Sequence, residues 1–280
     1  MQGIYEKRVY TKRTRVKNRF VLLLCIAAIF LVVSLLAPLI VPNDPFKNDA
    51  TAIRSKPNQH YIMGTDNYGR CVFSRVLMGA RTSIGATLIL VSITFIVGTF
   101  IGLLCGYYGG VLDSIIMRLI DILLSIPQMV LAIAVAGILG GGMANAMIAL
   151  GFTSWILYAR LAKSQTLSAR QEEYVYAARL GGHGGLYIMV RHILPNIAGP
   201  LLVNATIQMG TMLIGFAGLS FLGLGVQVPQ AEWGSMISES RAYIQLAPWT
   251  VMAPGTAVVL TALLFNYLGD TARDLLEVKG

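Results

Sequence analysis

E-Y-V-Y-A-A-R-L-G-G-H-G-G-L-Y-I-M-V-R-H-I-L-P-N, residues Glu173–Asn196, is a polar, helix-prone stretch with a glycine-rich break, set between two long apolar runs. A chain that had only to cross a bilayer would keep this connection short. Instead the whole segment Lys163–His192 stands out of the apolar phase with both charge signs interspersed. Ser164–Leu180 consists mostly of good helix formers. Gly181, Gly182, Gly184 and Gly185 must end or sharply bend that helix. Pro195 then stands where a second helix can begin with no donor lost. The expectation is helix, tight turn, helix, projecting from the membrane and able to fill a groove on a partner; the alternative is a merely solvated loop.

The surrounding composition supports a membrane setting. The 280-residue chain is 55% apolar and 12% charged, with a mean hydropathy of +0.66, whereas a soluble domain carries about a quarter of its residues as charges. The net charge of +9 is uneven: residues 1–19 hold Lys7, Arg8, Lys12, Arg13, Arg15, Lys17 and Arg19 against one acid, Glu6. A basic arm can bind nucleic acid, but this one abuts the apolar run Phe20–Val41, so the positive-inside rule makes it a cytoplasmic anchor and no nucleic acid is expected. That run is too long for the apolar core of a signal peptide and is read as a retained helix. Cys25, Cys71 and Cys105 form neither a disulfide framework nor a zinc spacing.

Runs long enough to span the hydrocarbon core, about 20 residues, occur near 20–41, 83–105, 119–139, 144–162, 196–222 and 250–268. Six spans are therefore expected, with both termini inside. Counting Arg160 at the end of the fourth run as inner, fifteen of the 22 Lys and Arg fall on the inner side and seven on the outer. Pro127 should kink or break the third span. Arg118 and Asp121 are expected to pair at the headgroup level. Asn204 and Gln208, four apart, share a face of the fifth span; they either bond to a neighbouring helix or line a water-filled translocation path. The glycine-rich run Gly215–Val226 is read as a tightly packed, partly unwound helix end or an outer gate. Trp233, Tyr243 and Trp249 suit an interfacial belt, with Glu232, Glu239 and Arg241 facing water.

Enzyme chemistry fails on inventory. Gly218-Leu219-Ser220 resembles the nucleophile step of an intramembrane serine protease, but His60, His183 and His192 all fall outside the expected spans, leaving Ser220 without a base. Paired intramembrane carboxylates for a proton relay are missing. The sequence contains no G-x-x-x-x-G-K-[ST], so energy from ATP would have to come from another chain. His60, Met63 and Cys71 match no metal-ligand spacing.

The inner segment resembles the signature of ATP-binding-cassette importer permeases, E-A-A-x3-G-x9-I-x-L-P: Ala177, Ala178, Gly182, Leu194 and Pro195 are in register. Tyr176 occupies the glutamate place and His192 the isoleucine place. The variant R-H-I-L-P-N, Arg191–Asn196, is similar to the dipeptide, oligopeptide and nickel permeases. So are M-G-T-D-N-Y-G-R-C-V-F-S-R, Met63–Arg75, and the stretch G-L-S-F-L-G-L-G-V with A-E-W-G-S-M-I, Gly218–Ile237.

The resemblance implies an all-α, six-helix permease subunit in a bacterial or archaeal cytoplasmic membrane. Its parts would be a basic arm (1–19), a first helix with its outer loop (20–82) and a transmembrane body (83–280) carrying a coupling segment (163–195). Implied partners are a second homologous permease, two ATP-binding subunits and an extracytoplasmic substrate-binding protein. ATP and Mg would sit on the ATP-binding subunits, with no cofactor on this chain. Glu173, Tyr176, Ala177, Ala178, Gly182 and Pro195 would form the ATPase-coupling site. The cargo stays open between nickel or a nickel chelate and short peptides; Trp155–Arg160 and Arg170–Val175 look closer to the nickel type. The rival class is a self-contained secondary transporter or channel, which would give flux from this chain alone, indifferent to ATP.

Overall fold

The computed structural model describes the backbone of residues 2–277 and the side chains of residues 14–276. The side chains of the basic arm up to residue 13 lie outside the described set. Among the described residues the regular elements are helical, apart from an isolated bridge between Thr65 and Cys71. The helices are α1 (Gln2–Leu35), α2 (Ala37–Ile40), α3 (Val72–Tyr108), α4 (Gly110–Leu124), α5 (Gln128–Leu139), α6 (Met143–Ala169), α7 (Glu173–Leu180), α8 (Gly185–Ile188), α9 (Leu194–Phe221), α10 (Trp233–Ser240) and α11 (Trp249–Glu277).

The expected six spans are not what the chain forms. Four helical stretches are long and apolar enough to cross a membrane: Thr14–Leu35, Val72–Tyr108, Gly185–Phe221 and Trp249–Leu276. A fifth exists only if α4 and α5 are counted as one, and they are bent by 90° to each other. The break is Ser125–Pro127, where the proline that should kink a span instead ends it, because it lacks the N–H donor and its ring clashes one turn back. The run at 144–162 became part of α6, which is not among the apolar spans. Asn145, Thr153, Ser154, Arg160 and Lys163 dilute its hydropathy, and its small residues are spent on packing.

That packing brings the backbones of α3 and α6 close together. Gly98, Gly102 and Gly106, at i, i+4 and i+8 of α3, form one stripe against α6. A Cβ built on Gly102 would fall onto the Ala159 carbonyl oxygen and lie 2.7 Å from the Ala162 Cβ; one on Gly106 would lie 2.7 Å from the Thr166 Cβ. Small residues at this spacing let two backbones approach where lipid supplies no hydrophobic driving force between helices. Two ion pairs then hold α4 onto α6: Asp113 with Lys163 at 2.6 Å, and Asp121 with Arg160. Asp121 therefore pairs across helices rather than with Arg118.

At the opposite end of α3 the loop 41–71 is tied down by charge. Arg70 bonds Asp66 at 2.6 Å and also Glu239. Arg75, 1% exposed, lies 3.6 Å from Asp66 and 3.8 Å from Glu239, and donates to the carbonyls of Pro45 and Pro229 at 3.2 Å. Two cations and two carboxylates make the cluster neutral, which is what lets such charges leave water. The stretches Met63–Arg75 and Ala231–Ile237 thus lie close together at one end of the fold.

Three expectations fail at this end. Glu239 is paired, Trp233 is buried with its indole N–H donating to the Val76 carbonyl at 2.9 Å, and Glu232 is 0% exposed. Glu232 caps α10, accepting from the N–H groups of Gly234 (2.9 Å) and Ser235 (2.8 Å) and from the Ser83 hydroxyl (3.1 Å). Burial pushes its carboxyl above the usual range, while the Gly234 and Ser235 bonds pull it back. Replacing Glu232 by Ala should cost about 1–3 kcal/mol, because buried N–H groups lose their acceptor; Gln, which keeps one oxygen, should cost less. Melting curves of the purified chain in detergent check the order, and equal midpoints for the wild type and the Ala variant would mean that the cap contributes nothing.

Candidate functional site

α7 follows α6 after a short turn at Arg170–Glu172 and is divided lengthwise. Val175 and Ala178, three apart, are buried with Ile188, Met189 and Ile193 in a cluster that includes Leu103 and Ala162. Glu173, Tyr176, Ala177 and Leu180, at i, i+3, i+4 and i+7, face outward. Leu180 is 91% exposed, although it lies outside the apolar spans.

The turn after α7 uses a specific device. His183 N–H donates to the Ala178 carbonyl at 3.2 Å and Gly182 N–H to the Arg179 carbonyl at 3.0 Å, with Gly182 at φ +78°. This is the Schellman arrangement, in which a left-handed residue satisfies the last carbonyls of a helix. A Cβ on Gly182 would meet nothing within 4 Å, so glycine is there for its backbone conformation and not for lack of room. Beyond the turn the His183 and Tyr187 rings stack at 4.4 Å.

Pro195 stands in the first turn of α9, as expected, although α9 continues a helix already under way. The chain is helical without interruption from Gly185 to Phe221, through a wide π turn at Met189–Ile193 in which Leu194 N–H bonds the Met189 carbonyl. The wide turn shifts the hydrogen-bond register just before a residue that cannot donate.

Of the sequence-derived coupling residues, Glu173, Tyr176, Ala177, Gly182 and Pro195 are exposed and Ala178 is turned inward. Sequence reasoning passed over both Leu180 and Tyr107, neither of which was singled out by a motif. Asn204 and Gln208 share a face of α9 as expected. Gln208 is 6% exposed, and Asn204 Oδ1 and Gln208 Nε2 are buried without a hydrogen-bond partner. Among the described residues of this chain neither atom finds a partner on a neighbouring helix. Asn266 Oδ1 of α11 is in the same condition, next to the close approach of α11 to Gly210. Buried amide groups left unpaired in this way are costly unless water or a ligand reaches them. Among the described residues no group of three or more His, Cys, Asp or Glu is placed to hold a metal ion.

A family model for inner membrane components of binding-protein-dependent transport systems matches residues 98–279. The dipeptide transport system permease protein of Alkalihalophilus pseudofirmus is 40% identical over 264 residues, covering 94% of this chain and 87% of that one. A probable D,D-dipeptide transport permease of Escherichia coli is 42% identical over 254 residues, covering 91% and 85%. A glutathione transport permease of Pectobacterium atrosepticum is 42% identical over 231 residues, covering 82% and 77%. Among solved structures, a chain of the inward-facing methionine transporter MetNI superposes with a TM-score of 0.59 at 20% identity, over 74% of this chain and 97% of that one. This last likeness is one of fold.

Proposed function

The chain belongs to the family of binding-protein-dependent transport system inner membrane components, and we propose that the outward face of α7 is where an ATP-binding subunit docks. It is a permease subunit of an ATP-binding-cassette importer, a multi-pass inner-membrane protein that leaves ATP hydrolysis to partner subunits. The observation that carries the docking role is Leu180: an apolar side chain 91% exposed at the tip of a short helix outside the apolar spans. Leu180 continues into the exposed ring of Tyr176, four residues earlier on the same face of α7, and a contiguous apolar patch of this kind is what a partner surface covers.

Glu173, Tyr176, Ala177 and Leu180 would meet the ATPase, Gly182 would set the angle of the tip, and Ala178 would hold the helix to the bundle. Tyr176, in the glutamate place, offers a ring and a hydroxyl where a carboxylate would stand. ATP and Mg belong to two such ATPase subunits, whose closure would drag α7 and rock the helices between inward and outward openings. A second permease would complete the path, with Asn204 and Gln208 supplying polar groups along it. An external binding protein would deliver cargo. The basic start of α1 and the end of α3 that supports α7 lie on the same side of the bundle, the cytoplasmic one by the positive-inside rule.

The cargo we propose is a short peptide. The relatives cited above are named for dipeptides, D,D-dipeptides and glutathione. The two stretches closer to the nickel type are occupied with holding the fold, Arg160 on Asp121 and Arg170 on the Tyr107 carbonyl, so they say little about cargo.

Two measurements test this function. A Cys at exposed Ala177 should crosslink to the ATPase subunit and a Cys at buried Ala178 should not; equal failure at both positions would remove the docking role. Cells carrying the complete importer should take up labelled dipeptide in a manner dependent on this chain. Chain-dependent nickel uptake without peptide uptake would replace the peptide assignment.

A further inference from the structure

Three separate points of the docking segment touch one residue outside it. Arg170, just before α7, donates from Nη1 to the Tyr107 carbonyl at 2.9 Å. Arg179, in the last turn of α7, places its guanidinium over the Tyr107 ring at 5.2 Å from the centroid. Gly185, which opens α8, lies so close that an added Cβ would be 2.9 Å from Tyr107 Cε1 and 2.8 Å from the Tyr108 hydroxyl. The two tyrosine rings brace each other edge to face at 5.1 Å. Tyr107 is thus in contact with the chain before, within and after α7.

We propose that Tyr107 is a positioning residue that passes movement of α7 into α3. The inference rests on the docking role of α7 argued above. α3 is suited to carry a push: it runs 37 residues without a proline or a wide turn, about 55 Å at 1.5 Å per residue. Its far end holds Arg75 in the buried ion cluster with Asp66 and Glu239. Of the two covalent exits, the one onward to α9 passes the π turn at Met189–Ile193 and Pro200 inside α9, features at which helices bend, and the one back to α6 passes the turn at Arg170–Glu172. Tyr107 therefore offers α7 a further connection to the bundle, through a cation held over a ring and a charge-assisted bond to a main-chain oxygen.

Uptake and ATP hydrolysis are measured in the complete importer with Ala177 intact, and docking separately in the same importer with Ala177→Cys as the crosslinking site and the exposed Cys25 replaced by Ser. Tyr107→Leu removes the ring and leaves the carbonyl; Tyr107→Phe keeps both. We expect Tyr107→Leu to insert normally and to keep the Ala177 crosslink to the ATPase. Uptake should fall about tenfold, the size of a typical coupling between sites, with ATP hydrolysis no longer stimulated by loaded binding protein. Tyr107→Phe should restore both. Arg179→Met should act in the same direction as Tyr107→Leu and add little to it, because the two remove the same contact. Normal uptake in Tyr107→Leu overturns the proposal, and so does a Phe variant as impaired as the Leu variant. Loss of the crosslink in Tyr107→Leu also overturns it, since the tyrosine would then hold the docking surface rather than relay its motion. Absence of the crosslink with Tyr107 intact would instead sink the docking role of α7, on which the relay depends.

Discussion

Gly182→Val should abolish uptake while the chain still reaches the membrane and folds. Gly182 has φ +78° and closes α7 with two main-chain bonds. Any other L-residue in that region pays about 1–2 kcal/mol, and a β-branched one more. Because an added Cβ meets no atom of this chain within 4 Å, the bundle itself has no reason to fail. The penalty falls on the tip: the turn opens, Leu180 swings, and the outward face of α7 loses the angle at which it would meet the ATPase. The effect should be graded by backbone preference rather than by size. Gly182→Asn, which tolerates the left-handed region, should keep most of the uptake, Gly182→Ala less, and Gly182→Val none. Uptake assays normalised to membrane-inserted protein measure the series. Normal transport in the Val variant would show that the shape of this turn does not matter to transport.

Gly102→Leu has the opposite character: the folded chain is lost before transport can be asked about. Here φ is helical, and the obstacle is the Ala159 carbonyl, the Ala162 Cβ and the Lys163 backbone nitrogen at 2.9 Å, none of which is the flexible end of a side chain. Even Gly102→Ala should cost about 1–3 kcal/mol by forcing α3 and α6 apart. Gly85 provides the internal control, since it lies on the same helix with nothing within 4 Å of an added Cβ. Helix propensity favours Ala over Gly by about 1 kcal/mol at either site. Propensity predicts that both Ala variants gain stability, whereas close packing predicts a loss at Gly102 alone. Thermal unfolding of the detergent-purified chain, with size-exclusion profiles for the Leu variant, separates the two. A Gly102→Ala variant as stable as Gly85→Ala would mean that the α3–α6 seam adjusts freely.

The different natures of these glycines bear on what could be read beforehand. Gly182 was legible because a glycine cluster ending a run of helix formers can only be a stop. The α3 stripe was present as G98-T-F-I-G102-L-L-C-G106 but passed unnoticed, since GxxxG in an apolar run takes on meaning only once a partner helix is known. The count of spans erred for a related reason. Hydropathy averages over a window and cannot see that Pro127 turns the chain by 90°, or that α6 exchanges apolar bulk for small and polar residues that fit against α3. Charged residues were misplaced in the same way: Glu232 and Glu239 look exposed as isolated letters, yet Ser83 and Arg70, more than a hundred residues earlier, give them their partners.

By itself the sequence determined an all-helical membrane chain with a polar, glycine-broken segment projecting from it, because hydropathy, charge bias and turn chemistry are properties of neighbouring residues. Tertiary structure decided how many helices can cross and which side of α7 is left bare. It also decided that Ala178 turns inward while Leu180 turns out, and that Tyr107 meets the segment at three points. Those outcomes depend on close approach between backbones and on polar contacts such as the Ser83–Glu232 hydrogen bond and the Arg70–Glu239 ion pair, which span 149 and 169 positions, and separations of that length leave no local pattern to read.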